Sequence, residues 1–112
     1  MNYPARWTRD EDRLRFALAE LAAMEGRSGE PLAEGPDHDR QKFIVKTTTM
    51  DGMHTVVRIS VPLTDEDTAA VRSSVRALLD LLGHKRGSAR TEVVLTPSGP
   101  RILDCWILTT SA

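Results

Sequence analysis

Lys42-Phe43-Ile44-Val45-Lys46-Thr47-Thr48-Thr49-Met50, then Asp51-Gly52, then Met53-His54-Thr55-Val56-Val57-Arg58-Ile59-Ser60-Val61, is the stretch that decides the fold of this chain. Both runs are rich in the β-branched residues that favour strands, and the Asp-Gly pair between them is a strong signal for a type I′ hairpin turn. Pro62 stops the second run, because it cannot donate to a sheet ladder. Downstream, Thr64 and Asp67 have capping spacing, and Val71, Val75, Leu78, Leu79 and Leu82 follow a 3.6-residue period, which predicts a helix closed by Gly83. The basic turn His84-Lys85-Arg86-Gly87 leads into a second predicted hairpin, Thr91 to Leu95 and Arg101 to Thr109, turned by Thr96-Pro97-Ser98-Gly99-Pro100. Upstream, Thr8 and Glu11 have capping-box spacing, and Leu14, Ala17, Leu18, Leu21 and Ala22 form one stripe, predicting a helix from Thr8 to Glu25 that ends at Gly26. Gly26 to Arg40 carries Gly, Pro, Ser and acidic residues without a period and reads as an irregular connector. The order α, ββ, α, ββ is that of an α+β fold: an antiparallel sheet of two β-hairpins covered on one face by a helix, with an added N-terminal helix.

With 112 residues the chain has room for one domain, residues 1–112. Apolar residues make up 40 % and charged residues 28 %, the balance of a folded globular protein rather than a disordered one. Fifteen basic against sixteen acidic residues leave a net charge of −1, which gives no electrostatic reason to expect nucleic acid or an anionic membrane as partner. The start Met1-Asn2-Tyr3-Pro4 lacks the apolar core of a signal peptide, and a lone cysteine, Cys105, makes no internal disulfide. The expected location is the cytoplasm.

Residues 42–110 resemble the C-terminal part of the ATP-grasp fold, in its carboxylate-amine ligase branch. The resemblance rests on Phe43-Ile44-Val45-Lys46-Thr47 through Asp51-Gly52-Met53-His54, then a helix, then Thr91-Glu92-Val93-Val94-Leu95-Thr96-Pro97-Ser98-Gly99-Pro100-Arg101-Ile102-Leu103-Asp104. In that family a glutamate on one strand and an acidic residue on the returning strand hold the magnesium ions that bridge the nucleotide phosphates; Glu92 and Asp104 stand at those places. The two acids emerge on one face if the turn between the strands holds an odd number of residues. The family's next cation ligand and its phosphate-binding arginine are replaced by Trp106 and Leu108, and Lys42 and Lys46 stand where it tends to be acidic. Residues 1–41 resemble none of its lid or preceding domain. The resemblance therefore implies a truncated, degenerate ATP-grasp fragment that binds no metal or cofactor of its own and does not ligate with ATP by itself.

Strand alternation puts Glu92, Asp104, Trp106 and Leu108 on one face, with Val93, Leu103, Cys105 and Ile107 on the other, beneath the second helix. Cys105 reads as a core thiol. A face with two acids beside Trp106 and Leu108 has the mixture of a small-molecule pocket. In this reading Glu92 and Asp104 are acid/base candidates, a carboxyl beside Trp106 being partly desolvated, and Trp106 and Leu108 are substrate-binding candidates. His54, in the first hairpin, joins the catalytic candidates if it faces the same cleft. Three other readings stay open: the acids are relics paired with Arg90 or Arg101, Trp106 is core beneath the N-terminal helix, or Trp106 and Leu108 form a homodimer seam. Asp37-His38-Asp39 reads as a solvated loop rather than a metal site. The leading expectation is a repurposed ATP-grasp-like protein of a biosynthetic pathway that binds a small molecule or a partner and acts without ATP in proton transfer, cyclisation or isomerisation. Its alternatives are a subunit of a split ligase that supplies Glu92 and Asp104 to magnesium, and a non-catalytic structural dimer; a homodimer or a partner enzyme is the expected assembly.

Overall fold

The computed structural model of the chain describes residues 6–26 and 41–109, so the predicted connector lies outside the described residues beyond Gly26. In order they form β1 (Arg6–Thr8), α1 (Glu11–Met24), β2 (Lys42–Met50), β3 (Met53–Ile59), α2 (Asp65–Leu81), β4 (Gly87–Thr96) and β5 (Gly99–Thr109). The strands make one antiparallel sheet in the order β1-β5-β4-β2-β3. The first hairpin turns at Asp51 and Gly52, both with positive φ (52° and 80°), as a type I′ turn requires. The two hairpins join along β2 and β4, with Lys42 opposite Val94 and Thr49 opposite Gly87.

Both helices lie on one face of this sheet. Leu14, Ala17 and Leu21 of α1 and Val71, Val75, Leu78 and Leu79 of α2 are buried in one core with Phe43, Val45, Ala89, Val93, Ile102 and Cys105 from the sheet. Thr64 caps α2 as its spacing predicts, its Oγ1 accepting from the Asp67 amide at 3.1 Å. In β2 the alternation is uninterrupted: Phe43, Val45, Thr47 and Thr49 are buried toward the helices, while Lys42, Lys46, Thr48 and Met50 are exposed on the other side.

The structure departs from the sequence reading at three places. Thr8 does not cap the first helix; it ends an edge strand, its Oγ1 donating to the Ile107 carbonyl at 3.2 Å. Asp10 is the cap, accepting from the Arg13 amide at 3.1 Å. The second hairpin does not turn over five residues, because Thr96 already pairs with Gly99 across Pro97-Ser98. Nor does Leu103 lie beneath the helices as alternation predicts. The register slips between Glu92 and Val93: Val93 faces Ile102 and Glu92 faces Asp104, leaving Leu103 as the extra residue of a β-bulge. Ile102, 3 % exposed, takes the core position instead.

That capping assignment is open to measurement. Asp10→Ala should lower unfolding free energy in urea by about 0.5–2 kcal/mol, with a smaller loss for Thr8→Ala. The reverse order would move the cap to Thr8. Leu78→Ala, at a site with no exposure, should cost about 2–5 kcal/mol in the same assay.

Candidate functional site

The sheet face turned away from both helices carries charged and apolar side chains in ordered rows, with Val94 fully buried on it. In one row Ile44, Glu92 and Asp104 stand side by side across β2, β4 and β5. A two-residue turn holds an even number of residues, so an unbroken ladder would pair Glu92 with Leu103 and send Asp104 to the helix side. The bulge at Leu103 supplies the extra residue and returns Asp104 to the face of Glu92. Trp106 and Leu108 follow by alternation on the same face.

Each acid meets a cation, though not one expected from the sequence. Asp104 Oδ1 accepts from Arg9 Nε at 2.5 Å, and Glu92 Oε1 lies 3.4 Å from Lys42 Nζ. Arg9 arrives with β1, the strand that the helix reading had absorbed. Trp7, opposite Leu108 on that strand, comes to the same face and lies 5.7 Å from the Arg90 guanidinium, in cation–π range.

The neighbouring row was missed in the sequence. Arg58 faces Lys46, Lys46 faces Arg90 and Arg90 faces Trp106, so three cations stand directly opposite one another across β3, β2 and β4, ending against an indole. Like charges so placed are destabilising. Among the described residues no carboxylate is paired with Arg58 or Lys46, and Arg90 Nε is buried without a hydrogen-bond partner. Alternation back from Glu92 finds Arg90 on the right face, but only the pairing of β2 with β4 and β3 gathers the other two.

His54 is not brought together with Glu92 and Asp104. It pairs with Thr49 on the helix-covered side, where its side chain is 3 % exposed. Its Nε2–H donates to Asp80 Oδ1 at 2.8 Å, and its Nδ1 accepts from the Thr49 hydroxyl at 2.7 Å, the tautomer that suits a carboxylate acceptor. The His84 ring stacks 6.2 Å from it, and the Nε2–H of His84 donates to the Gly87 carbonyl at 3.1 Å. Cys105 is also on this side, 3 % exposed, with Sγ 3.6 Å from Thr91 Oγ1. Burial pushes its thiol up to about 11, the Thr91 contact working against this and the Asp104 charge with it. Asp37-His38-Asp39 lies outside the described residues; among those described, no three His, Cys, Asp or Glu side chains gather as a metal site. None of the described helices is long and apolar enough to cross a membrane.

No family model matches the chain, and no curated protein matches it. Solved structures do. The L-amino acid ligase from Bacillus licheniformis superposes with a TM-score of 0.57 at 18 % identity, over 94 % of this chain and 32 % of the ligase. Phosphoribosylglycinamide synthetase from Anaerococcus prevotii gives a TM-score of 0.52 at 11 % identity, over 90 % of this chain and 37 % of the synthetase. The fold is therefore ATP-grasp-like, and the chain spans about a third of the length of each of these ligases.

The thiol supplies a test of the two-sided sheet. A disulfide reagent at pH 8 should leave Cys105 unreacted in the folded protein and modify it in urea, since a buried thiol with raised pKa forms little thiolate. The unfolded chain ionises first, from about pH 9, while the folded thiol holds its proton to about 11. The thiol's contribution to stability is thus complete below pH 9 and is lost as pH rises from 9 to 11. Rapid modification without denaturant would place Cys105 on the open face.

Proposed function

We propose that this is a small-molecule-binding protein of ATP-grasp-like fold whose open sheet face takes an anionic molecule carrying a planar ring, and that it acts on this ligand without ATP. The observation that carries the reading is the row Arg58-Lys46-Arg90-Trp106, a set of opposed cations ending at an indole, with Trp7 beside Arg90. A bound carboxylate or phosphate relieves repulsion among the three cations, and the indoles offer flat apolar area to the ring. Leu108 extends the apolar part of the surface.

Glu92 and Asp104 stand one row from those cations and serve the ligand's other polar groups. Their present partners are exchangeable: the Arg9 and Lys42 side chains are 36 % and 48 % exposed, and ion pairs of this kind are worth about 0–1 kcal/mol. A ligand hydroxyl or ammonium can take the place of either cation and exchange a proton with the carboxylate beneath it. Proton transfer, with the cyclisation or isomerisation it permits, is the chemistry that two such carboxylates support. His54, held by Thr49 and Asp80 behind the sheet, braces the first hairpin against α2 in this scheme.

A second reading has its own observation. The bulge sets Glu92 directly opposite Asp104, the placement in which two carboxylates share one hard cation, and a separate subunit contributing the remaining nucleotide contacts makes a bipartite ligase.

Calorimetric titration separates the two. With EDTA present, a series of aromatic carboxylates and AMP should bind saturably, and Arg90→Ala and Trp106→Ala should each weaken binding by at least about tenfold while the far-UV dichroism is unchanged. Absence of saturable binding by every compound overturns the proposal. Binding of ATP only with magnesium, lost in both Glu92→Gln and Asp104→Asn, selects the bipartite ligase. In the acid/base reading those two variants keep ligand binding and lower turnover by at least about a hundredfold, and full turnover in both ends it.

A further inference from the structure

A concavity lies on the helix side of the sheet, away from the cation row of the open face. It is a cleft of about 510 Å³ between the start of α1, the turn that follows α2 and the helix-side edge of β5. This is within the range of small-molecule sites. Its walls divide by chemistry. Leu14, Leu82 and Ile107 make an apolar side, while Arg9, Arg13, His84, Lys85 and Arg86 make a basic one, with Asp10 as the single acidic side chain in the lining.

The commitments of these charged groups decide what the cleft offers. Asp10 is occupied as the α1 cap, Arg9 is paired with Asp104, and Arg86 lies 3.3 Å from Asp51. Arg13 and Lys85 have no ion pair among the described residues. The Arg13 guanidinium reaches across to the far wall, its Nη2 lying 3.3 Å from where a Cβ on Gly83 would stand. Gly83 itself has φ +70°, and the amide of the next residue, His84, is spent on the Leu79 carbonyl, so the turn presents its side chains to the cleft on a fixed backbone. The turn is also held from behind, because the Gly52 amide donates to the Lys85 carbonyl at 2.9 Å. The Lys85 Nζ lies 3.9 Å from where a Cβ on Gly52 would stand, toward the first hairpin, which leaves the Arg13 guanidinium as the uncompensated cation facing the apolar wall. Guanidinium and wall together form a site for a molecule with one anionic end and one apolar end.

We propose that this cleft binds a small organic anion with an aliphatic body, its carboxylate or phosphate held by Arg13 and its body laid against Leu14, Leu82 and Ile107. The cleft shares Arg9 and Leu108 with the open face, but none of Lys46, Arg90 or Trp106 lines it. Its ligand class differs as well: the open face presents indoles to a ring, whereas the cleft presents aliphatic side chains.

The test is heteronuclear NMR titration of the whole chain with octanoate, acetate and inorganic phosphate as probes. Octanoate should bind saturably and shift the amides of Arg13, Gly83, Lys85 and Gly87, at least about tenfold more tightly than acetate or phosphate, which lack the apolar body. Arg13→Ala should weaken octanoate by at least about tenfold, and Arg13→Lys should restore most of the loss, because the charge is kept. Equal affinity for acetate and octanoate overturns the proposed apolar contact. Shifts confined to Lys46, Arg90 and Trp106, or unchanged affinity in Arg13→Ala, overturn the site itself.

Discussion

A single extra residue, Leu103, sets the arrangement of the whole open face. The side-chain period of a strand is two, so the length of a hairpin turn fixes which residues of the returning strand face which side. Here the turn is two residues long and would carry Asp104 to the helices. That turn puts Ile102 opposite Val93 in the core, and the bulge beyond it restores Asp104 to the side of Glu92 and puts Trp106 opposite Arg90. A bulge leaves one residue out of the ladder and adds twist, and bulges recur next to functional sites because they re-aim side chains at small cost. Had the ladder run unbroken, Asp104 would have turned toward the layer beneath the helices, where burying a charge is costly.

The two sides of the sheet differ in how their polar groups are matched. The helix-covered side holds the close-packed layer of Val45, Val75, Leu78, Leu79 and Val93, together with polar groups that are satisfied by one another: His54 by Thr49 and Asp80, His84 by Gly87. The open side keeps charges that a protein optimised only for stability would have interleaved. Arg58, Lys46 and Arg90 oppose one another in a row, while the acids one row away are matched with Lys42 and Arg9. In the proposed function, this local departure from charge pairing is what ligand binding costs the fold.

Likeness to two ligases at 18 % and 11 % identity establishes a common fold and leaves chemistry to the side chains. On this fold the two acids meet Lys42 from the neighbouring strand and Arg9 from just past the edge strand β1. That strand brings Trp7 beside Arg90, and Arg9, which follows it, pairs with Asp104, so the pairing of three residues with β5 changes what the face presents.

By itself the sequence determined the first hairpin, the cap and apolar stripe of the second helix, the α+β layering and the placement of Cys105 in the core. Each of these rests on local spacing: an Asp-Gly turn, a Thr three residues before its amide partner, a period of 3.6 or 2. Tertiary structure alone decided the register of β2 against β4, the bulge at Leu103 and the pairing of Arg6–Thr8 with the last strand. The physical reason is that register depends on packing between residues far apart in the chain, and a slip of one position leaves the local pattern unchanged while reversing every side chain. Thus the spacing of Glu92 and Asp104 suggested a shared face through an odd turn, and the shared face exists through an even turn and a bulge. The cation row remained hidden because its members lie on three strands, and His54, adjacent to a turn that was read correctly, belongs to the covered side because Thr49 opposite it does.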